Sequence, residues 1–157
     1  FPGKSILPTW LRSFGFLSLF AVIVQSLLGS RVATSWAAHR CLDYGDSCNL
    51  LGMHRLTAFP VSFFVITFVI VSITQRDVFI NQWPYFFAIV FLIISQIFLG
   101  VFSIQIGMSE PSLVIGHQLV ACLLVAVISA LIFKGRGLDG SSQSLFITES
   151  HLETCHG

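Results

Sequence analysis

Charged side chains are scarce in this sequence. Asp, Glu, Lys and Arg make up 10% of its 157 residues, whereas a soluble domain usually carries about 25%. Eight basic residues against seven acidic ones give a formal net charge of +1, and no basic stripe is present, so the sequence argues against a nucleic-acid partner. Intrinsic disorder is excluded as well, because disordered chains combine low hydrophobicity with high net charge.

Apolar residues dominate instead. They account for 55% of the chain, including 16 Phe, and the mean hydropathy is +0.88. A membrane-spanning helix needs roughly 20 mostly apolar residues, and four such runs occur, at about 11–28, 53–74, 84–106 and 112–133. These runs are apolar on every side, unlike the alternating strands of a membrane barrel. The sequence therefore predicts an all-α integral membrane protein, with a four-transmembrane-helix bundle over residues 1–134 and a polar cytoplasmic tail at 135–157.

The placement of Lys and Arg around these runs predicts the orientation in the membrane, because basic residues are enriched on the cytoplasmic side. Five flank the N-terminus, the second connection and the C-terminal end of the fourth run: Lys4, Arg12, Arg76, Lys134 and Arg136. Three lie on the opposite side: Arg31, Arg40 and Arg55. Both termini are expected on the cytoplasmic (inner) side, with the loop at 30–52 outside.

The outer loop contains two cysteines, Cys41 and Cys48, with six residues between them. Since this side of the membrane is the oxidising one, we predict a disulfide that contributes about 2–3 kcal/mol of local rigidity; two free thiols are the alternative. Cys122, in the middle of the fourth run, is expected to pack as a small hydrophobe. Cys155 lies in the tail and has no assigned partner.

Two histidines lie inside the apolar runs, His54 about two residues into the second and His117 about six into the fourth. Ionisable side chains in membrane spans are costly and usually functional. The second and fourth helices are predicted to run in the same direction, so the two imidazoles lie at depths that differ by roughly 6 Å. Two such imidazoles on facing helices can ligate one haem iron from both faces. We predict bis-histidine haem ligation by His54 and His117.

Other readings of the two histidines remain open. Each imidazole could instead hydrogen-bond a backbone carbonyl, and quinone binding would not require two histidines. A metal ion without a porphyrin would need more ligands than these two. For the haem propionates, the guanidinium groups of Arg55, Arg31 and Arg40 are suited by their fork geometry, although Arg55 could also reach lipid headgroups. Gln25 and Gln96, inside the first and third runs, are expected to bridge helices or to contact the cofactor.

A series of short motifs resembles one half of the haem A synthase family, whose usual form fuses two four-helix halves. The resemblance covers roughly residues 10–133. The first two motifs are the segment 29–35, at the end of the first run, and the paired-cysteine segment 41–48. The other three lie in the remaining runs: His54-Arg55 at the start of the second, Gln96-Ile97-Phe98-Leu99-Gly100 in the third, and His117 followed by Ala121 in the fourth. The resemblance implies a bis-histidine haem site.

The family oxidises a methyl group of haem O to the formyl group of haem A, and this chain departs from it in two ways. The glutamate that the family carries three residues before its first ligand histidine is Leu51 here, and the segment between Cys48 and His54 is short. Asp43 or Asp46 would have to fold over the haem to replace that acid. A single half would also need a homodimer or another subunit to form a complete enzyme.

These departures favour retention of haem, by a haem b protein, over conversion of haem by a haem A synthase-like oxidoreductase. We expect one haem b, bound by an electron-transfer or structural subunit of a respiratory or photosynthetic membrane complex. Its partners would be the lipid bilayer and either other membrane subunits or a second copy. The location expected is an energy-transducing membrane, namely a bacterial plasma membrane or an organellar inner membrane. The alternative is a half-length haem A synthase acting as a homodimer; a third, a four-helix thiol oxidase, lacks its Cys-x-x-Cys motif.

Overall fold

The computed structural model describes residues 7–34, 49–106 and 110–134. Every regular element in these ranges is a helix: α1 is Thr9–Val32, α2 is Asn49–Thr74, α3 is Arg76–Gln105 and α4 is Pro111–Phe133. All four are long and apolar enough to cross a bilayer, which confirms the predicted all-helical architecture with four candidate spans. The orientation of the termini stays a prediction. Arg40, the Cys41–Cys48 pair and the tail at 135–157 lie outside the described residues.

The third helix begins at Arg76, eight residues before the predicted start at 84. The polar residues at 75–82 were expected to form a connection, but only Gln75 interrupts the helices. A helix of 30 residues is about 45 Å long, whereas the hydrocarbon core of a bilayer is about 30 Å thick. The first turns of α3 can therefore lie in the headgroup region, where the exposed side chains of Arg76, Asp77 and Asn81 can reach water. Pro84 then lies inside the helix, as membrane helices tolerate.

The four helices form a ring in which each contacts its two neighbours. Helix α1 packs against α2 and α4, and α3 packs against the same two helices. The pairs α1/α3 and α2/α4 are therefore diagonal. Because α2 and α3 are separated by one residue and α3 and α4 by a short connection, successive helices are antiparallel. Helices α2 and α4 consequently begin at the same end of the bundle.

A close-packed apolar core fills the opposite end of the bundle. Large side chains there are fully buried, among them Phe68, Phe86, Ile128 and Leu131. Gly15 allows α1 to approach closely, since a Cβ atom at this position would lie 3.1 Å from both Phe68 and Ile132. This packing leaves the half of the bundle where α2 and α4 begin less completely filled.

The outer surface of the bundle is apolar as well. Phe59 is 85% exposed, Leu56 71% and Phe91 68%, a surface that suits lipid rather than water. Cys122, which we expected to pack as a small hydrophobe, is exposed on α4. It shares the outward face of that helix with Leu119 and Leu123, which are 59% and 46% exposed, because residues three and four positions apart in a helix lie on one side.

Candidate functional site

A cavity of about 460 Å³ lies between the four helices in the half of the bundle where α2 and α4 begin. Small-molecule sites typically have volumes of roughly 300–1,000 Å³. One core residue from each of the four helices forms part of its wall: Val22, Val65, Ile93 and Leu124. Apolar side chains make up most of the lining, and a few polar ones interrupt it: Gln25, Ser26, His54, Arg55, Ser62, Gln96, Ser103, Gln105, His117 and Gln118.

His54 and His117 face each other across this cavity. Their ring centroids are 6.4 Å apart and their planes are inclined at 83°. His54 lies five residues after the start of α2 and His117 six after the start of α4, so their axial positions relative to the helix starts differ by about 1.5 Å. This difference is smaller than the predicted 6 Å because α2 begins at Asn49 rather than at about 53.

Each imidazole lies against a glycine of the neighbouring helix. A Cβ atom placed on Gly29 of α1 would be 2.9 Å from Cε1 of His54, and one on Gly100 of α3 would be 3.1 Å from Cε1 of His117. Carbon atoms normally pack about 3.5–4.0 Å apart. A larger residue at either position would therefore displace the ring, and the two glycines define where the imidazoles can lie.

Hydrogen bonds from α1 hold the imidazole of His54. The Gln25 amide nitrogen lies 3.0 Å from Nδ1 of His54 and donates to the His54 backbone carbonyl at 2.7 Å. The Thr57 hydroxyl donates to Oε1 of Gln25 at 2.7 Å, and the same hydroxyl is 2.7 Å from the carbonyl of Met53. Gln25 therefore has partners for both ends of its amide group, which links α1 firmly to the histidine turn of α2.

The imidazole of His117 has weaker support. The amide nitrogen of Gln96 lies 3.3 Å from Nε2 of His117. Oε1 of Gln96 and Nδ1 of His117 are both buried and have no hydrogen-bond partner. Leaving such atoms unpaired costs about 1–3 kcal/mol each, and native proteins contain few of them. This side of the cavity therefore has unused hydrogen-bonding capacity.

An internal repeat underlies the two halves of the site. The segments 25–29 and 96–100 both have the pattern Gln-x-x-Leu-Gly, and the segments 54–58 and 117–121 both have the pattern His-x-Leu-x-Ala. In each half, the glutamine and glycine of one helix contact the histidine of the next. The hairpins α1–α2 and α3–α4 thus supply equivalent parts. The repeat is the sequence signal that marks Gly29 and Gly100 as site residues, a role that neither glycine was predicted to have.

The structure brings together most of the side chains that the sequence selected. Gln25 contacts His54, Gln96 contacts His117 and the two imidazoles face each other. The cavity lining also includes Arg55 and Leu51. Arg31, in the last turn of α1, is exposed and is not part of that lining. Thr57, three residues after His54 on α2, is the residue whose hydroxyl orients the Gln25 amide.

The polar groups of the cavity restrict what it can bind. Among the described residues, no group of three or more His, Cys, Asp or Glu side chains could hold a metal ion. The polar groups that remain for a ligand are the two imidazoles, the glutamine amides and the exposed Arg55 guanidinium, set in a mostly apolar wall.

Comparisons with known proteins leave the family open: no family model matches the chain, no curated protein matches it and no solved structure matches it. The likeness to one half of haem A synthase therefore stays a prediction that depends on the motifs.

Proposed function

We propose that this chain is a membrane b-type haem-binding protein in which His54 and His117 ligate the iron from opposite faces. The ring separation carries this proposal. An imidazole nitrogen binds zinc, another first-row metal, at about 2.0–2.1 Å, and a five-membered ring with bonds of about 1.35 Å has a radius of about 1.15 Å. Two imidazoles on opposite sides of one metal atom then have centroids about 6.3 Å apart, close to the 6.4 Å between His54 and His117.

The surroundings of the two rings support a porphyrin rather than a bare ion. Each ring has one nitrogen to which no described residue hydrogen-bonds, Nε2 in His54 and Nδ1 in His117. The cavity is lined by all four helices and is mostly apolar, as the macrocycle requires. At the same end of the bundle, the Arg55 guanidinium can pair with a propionate, because its planar fork matches a carboxylate.

Axial ligation by two histidines fits electron transfer or a structural role. When bound, the haem supplies one-electron redox chemistry, and the axial ligands, the burial and the hydrogen bonds around it set its potential. The residues of this chain fix the two imidazoles, and the apolar lining limits access of water. We therefore assign the chain as an electron-transfer or structural subunit of a respiratory or photosynthetic membrane complex, in an energy-transducing membrane.

The cavity lining favours this assignment over a half-length haem A synthase. A general acid or base must lie within hydrogen-bond reach of its target, directly or through one water. Of the described residues that line the cavity, none is Asp or Glu. Leu51, at the position of the family's glutamate, contributes an apolar side chain to the lining. The described lining therefore offers no carboxyl group for the proton handling that methyl oxidation needs; Asp43 and Asp46, the other carboxylates considered for this role, lie outside the described residues.

Pigment analysis of the purified protein tests the proposal. The full chain is produced in membranes supplied with haem, purified in detergent and analysed by pyridine haemochrome and optical spectroscopy. We expect one haem b per chain with a low-spin, six-coordinate spectrum. His54→Ala and His117→Ala should each abolish the six-coordinate spectrum, whereas His151→Ala, in the C-terminal part of the sequence, should not. Absence of haem, or a six-coordinate spectrum unchanged in both His54→Ala and His117→Ala, would refute the proposal.

A further inference from the structure

The two halves of the internal repeat differ at the residue that orients the glutamine. Three positions after His54 the repeat has Thr57, and three positions after His117 it has Val120. A threonine hydroxyl both donates and accepts hydrogen bonds, and a valine methyl group does neither. The two side chains have nearly the same shape, so the difference between the halves is almost purely one of hydrogen bonding.

On the α1–α2 side, this hydroxyl completes the support of His54. Thr57 donates to Oε1 of Gln25 at 2.7 Å, while the Gln25 amide nitrogen lies 3.0 Å from Nδ1 of His54. If a metal on Nε2 moves the ring proton to Nδ1, the amide of Gln25 can turn over to accept it. The hydrogen bond from Gln25 to the His54 carbonyl is then lost. The amide nitrogen of the turned Gln25 can instead donate to the Thr57 hydroxyl, so this hydroxyl supports either orientation of the amide.

On the α3–α4 side, Val120 leaves the corresponding glutamine without that partner. Oε1 of Gln96 is buried and unpaired. The one hydrogen bond to this ring is 3.3 Å long. Buried polar atoms without partners destabilise the arrangement that contains them. Apart from its proposed bond to the iron, movement of His117 would therefore lose only one long hydrogen bond among the described residues, whereas movement of His54 would also break the Gln25–Thr57 network.

We propose that His54 is the fixed axial ligand and His117 the exchangeable one, so that the haem can bind a small neutral ligand on its His117 face. This inference rests on the proposed haem site and adds to it a second binding activity. The unpaired Oε1 of Gln96 is available as an acceptor for a ligand that carries a proton donor, such as imidazole. In this exchange the bond between His117 and the iron would break, a bond between the small ligand and the iron would form, and His54 would continue to hold the haem.

Exchanging the two side chains by Thr57→Val and Val120→Thr tests this asymmetry. The reduced, haem-loaded protein is titrated with carbon monoxide and the oxidised protein with imidazole, and both are followed optically. Because partners of ligand histidines typically change metal affinity by about 10–100-fold, we expect Val120→Thr to weaken binding of both probes by about tenfold. Thr57→Val should weaken retention of haem by a similar factor. Thr74→Val, which removes a hydroxyl bonded at 2.7 Å to the Val71 carbonyl at the far end of α2, is the matched control and should change neither.

The histidine variants give an independent measurement. His117→Ala should retain five-coordinate haem that binds carbon monoxide, and His54→Ala should lose most of its haem. Equal haem loss in the two variants, or probe affinities unchanged by Val120→Thr, would overturn the inference while leaving bis-histidine ligation intact. Failure of the wild-type chain to bind haem would instead overturn the proposed function, and the inference with it.

Discussion

Replacing Gly29 by alanine should move an axial ligand without unfolding the bundle. The new Cβ would lie 2.9 Å from Cε1 of His54, so the ring must retreat by roughly 0.6 Å or more to reach an ordinary carbon–carbon contact. Overpacking costs about 1–3 kcal/mol, and alanine returns about 0.5–1 kcal/mol in a helix interior. Because the imidazole can rotate, we expect the net destabilisation to stay below about 2 kcal/mol.

The effect on haem binding should be larger than the effect on stability. Functional sites require placement of their ligands to within about 0.5 Å, so we expect the haem affinity of Gly29→Ala to fall about 10–100-fold. Gly116→Ala is the matched control, since a Cβ there meets nothing within 4 Å although the residue adjoins His117. Haem transfer to apomyoglobin and thermal unfolding in detergent measure the two quantities. An unchanged haem affinity in Gly29→Ala would refute the role assigned to this glycine.

Three further substitutions test the packing of the core, the placement of Arg55 beside the haem and the continuity of α3. Gly15→Ala, whose Cβ would lie 3.1 Å from Phe68 and Ile132, should destabilise the bundle by about 1–3 kcal/mol in thermal unfolding and leave the haem spectrum unchanged. Arg55→Gln should lower the haem reduction potential in a redox titration, because a nearby positive charge favours the reduced iron; a rise would contradict its placement beside the haem. Pro84→Ala should raise the unfolding temperature, since it returns an amide hydrogen bond to α3, and a lower temperature would count against a continuous helix there.

The four helices could be predicted because long apolar runs have one structural solution in a bilayer. Their ends were harder to place, since polar residues at 75–82 are equally compatible with a loop and with a helix that extends into the headgroup region. The structure makes them helical, and α3 consequently starts at Arg76. Hydropathy alone does not distinguish a loop from a helix at 75–82, because both structures place the same side chains in contact with water.

The histidine pair was recognisable from the sequence because ionisable residues are rare in apolar runs. The distance and angle between the two rings could not be predicted, because on diagonal helices both depend on where the helices begin and how they pack. Gly29 and Gly100 were not predicted as site residues for a related reason, because a glycine's role becomes visible only when the neighbouring helix is seen to approach it. The repeated pattern Gln-x-x-Leu-Gly marked both positions, and comparing the two halves of the chain would have revealed it.

Electron paramagnetic resonance of the oxidised, purified protein tests the central claim most directly. The two imidazole planes are inclined at 83°, and near-perpendicular axial imidazoles leave two iron d orbitals almost equal in energy. Ligation by His54 and His117 therefore predicts a low-spin signal of the strongly anisotropic type, which is lost in both single alanine variants. A high-spin signal in the wild-type protein, or a low-spin signal that survives in His54→Ala and His117→Ala alike, would contradict the claim that these two histidines hold one haem iron.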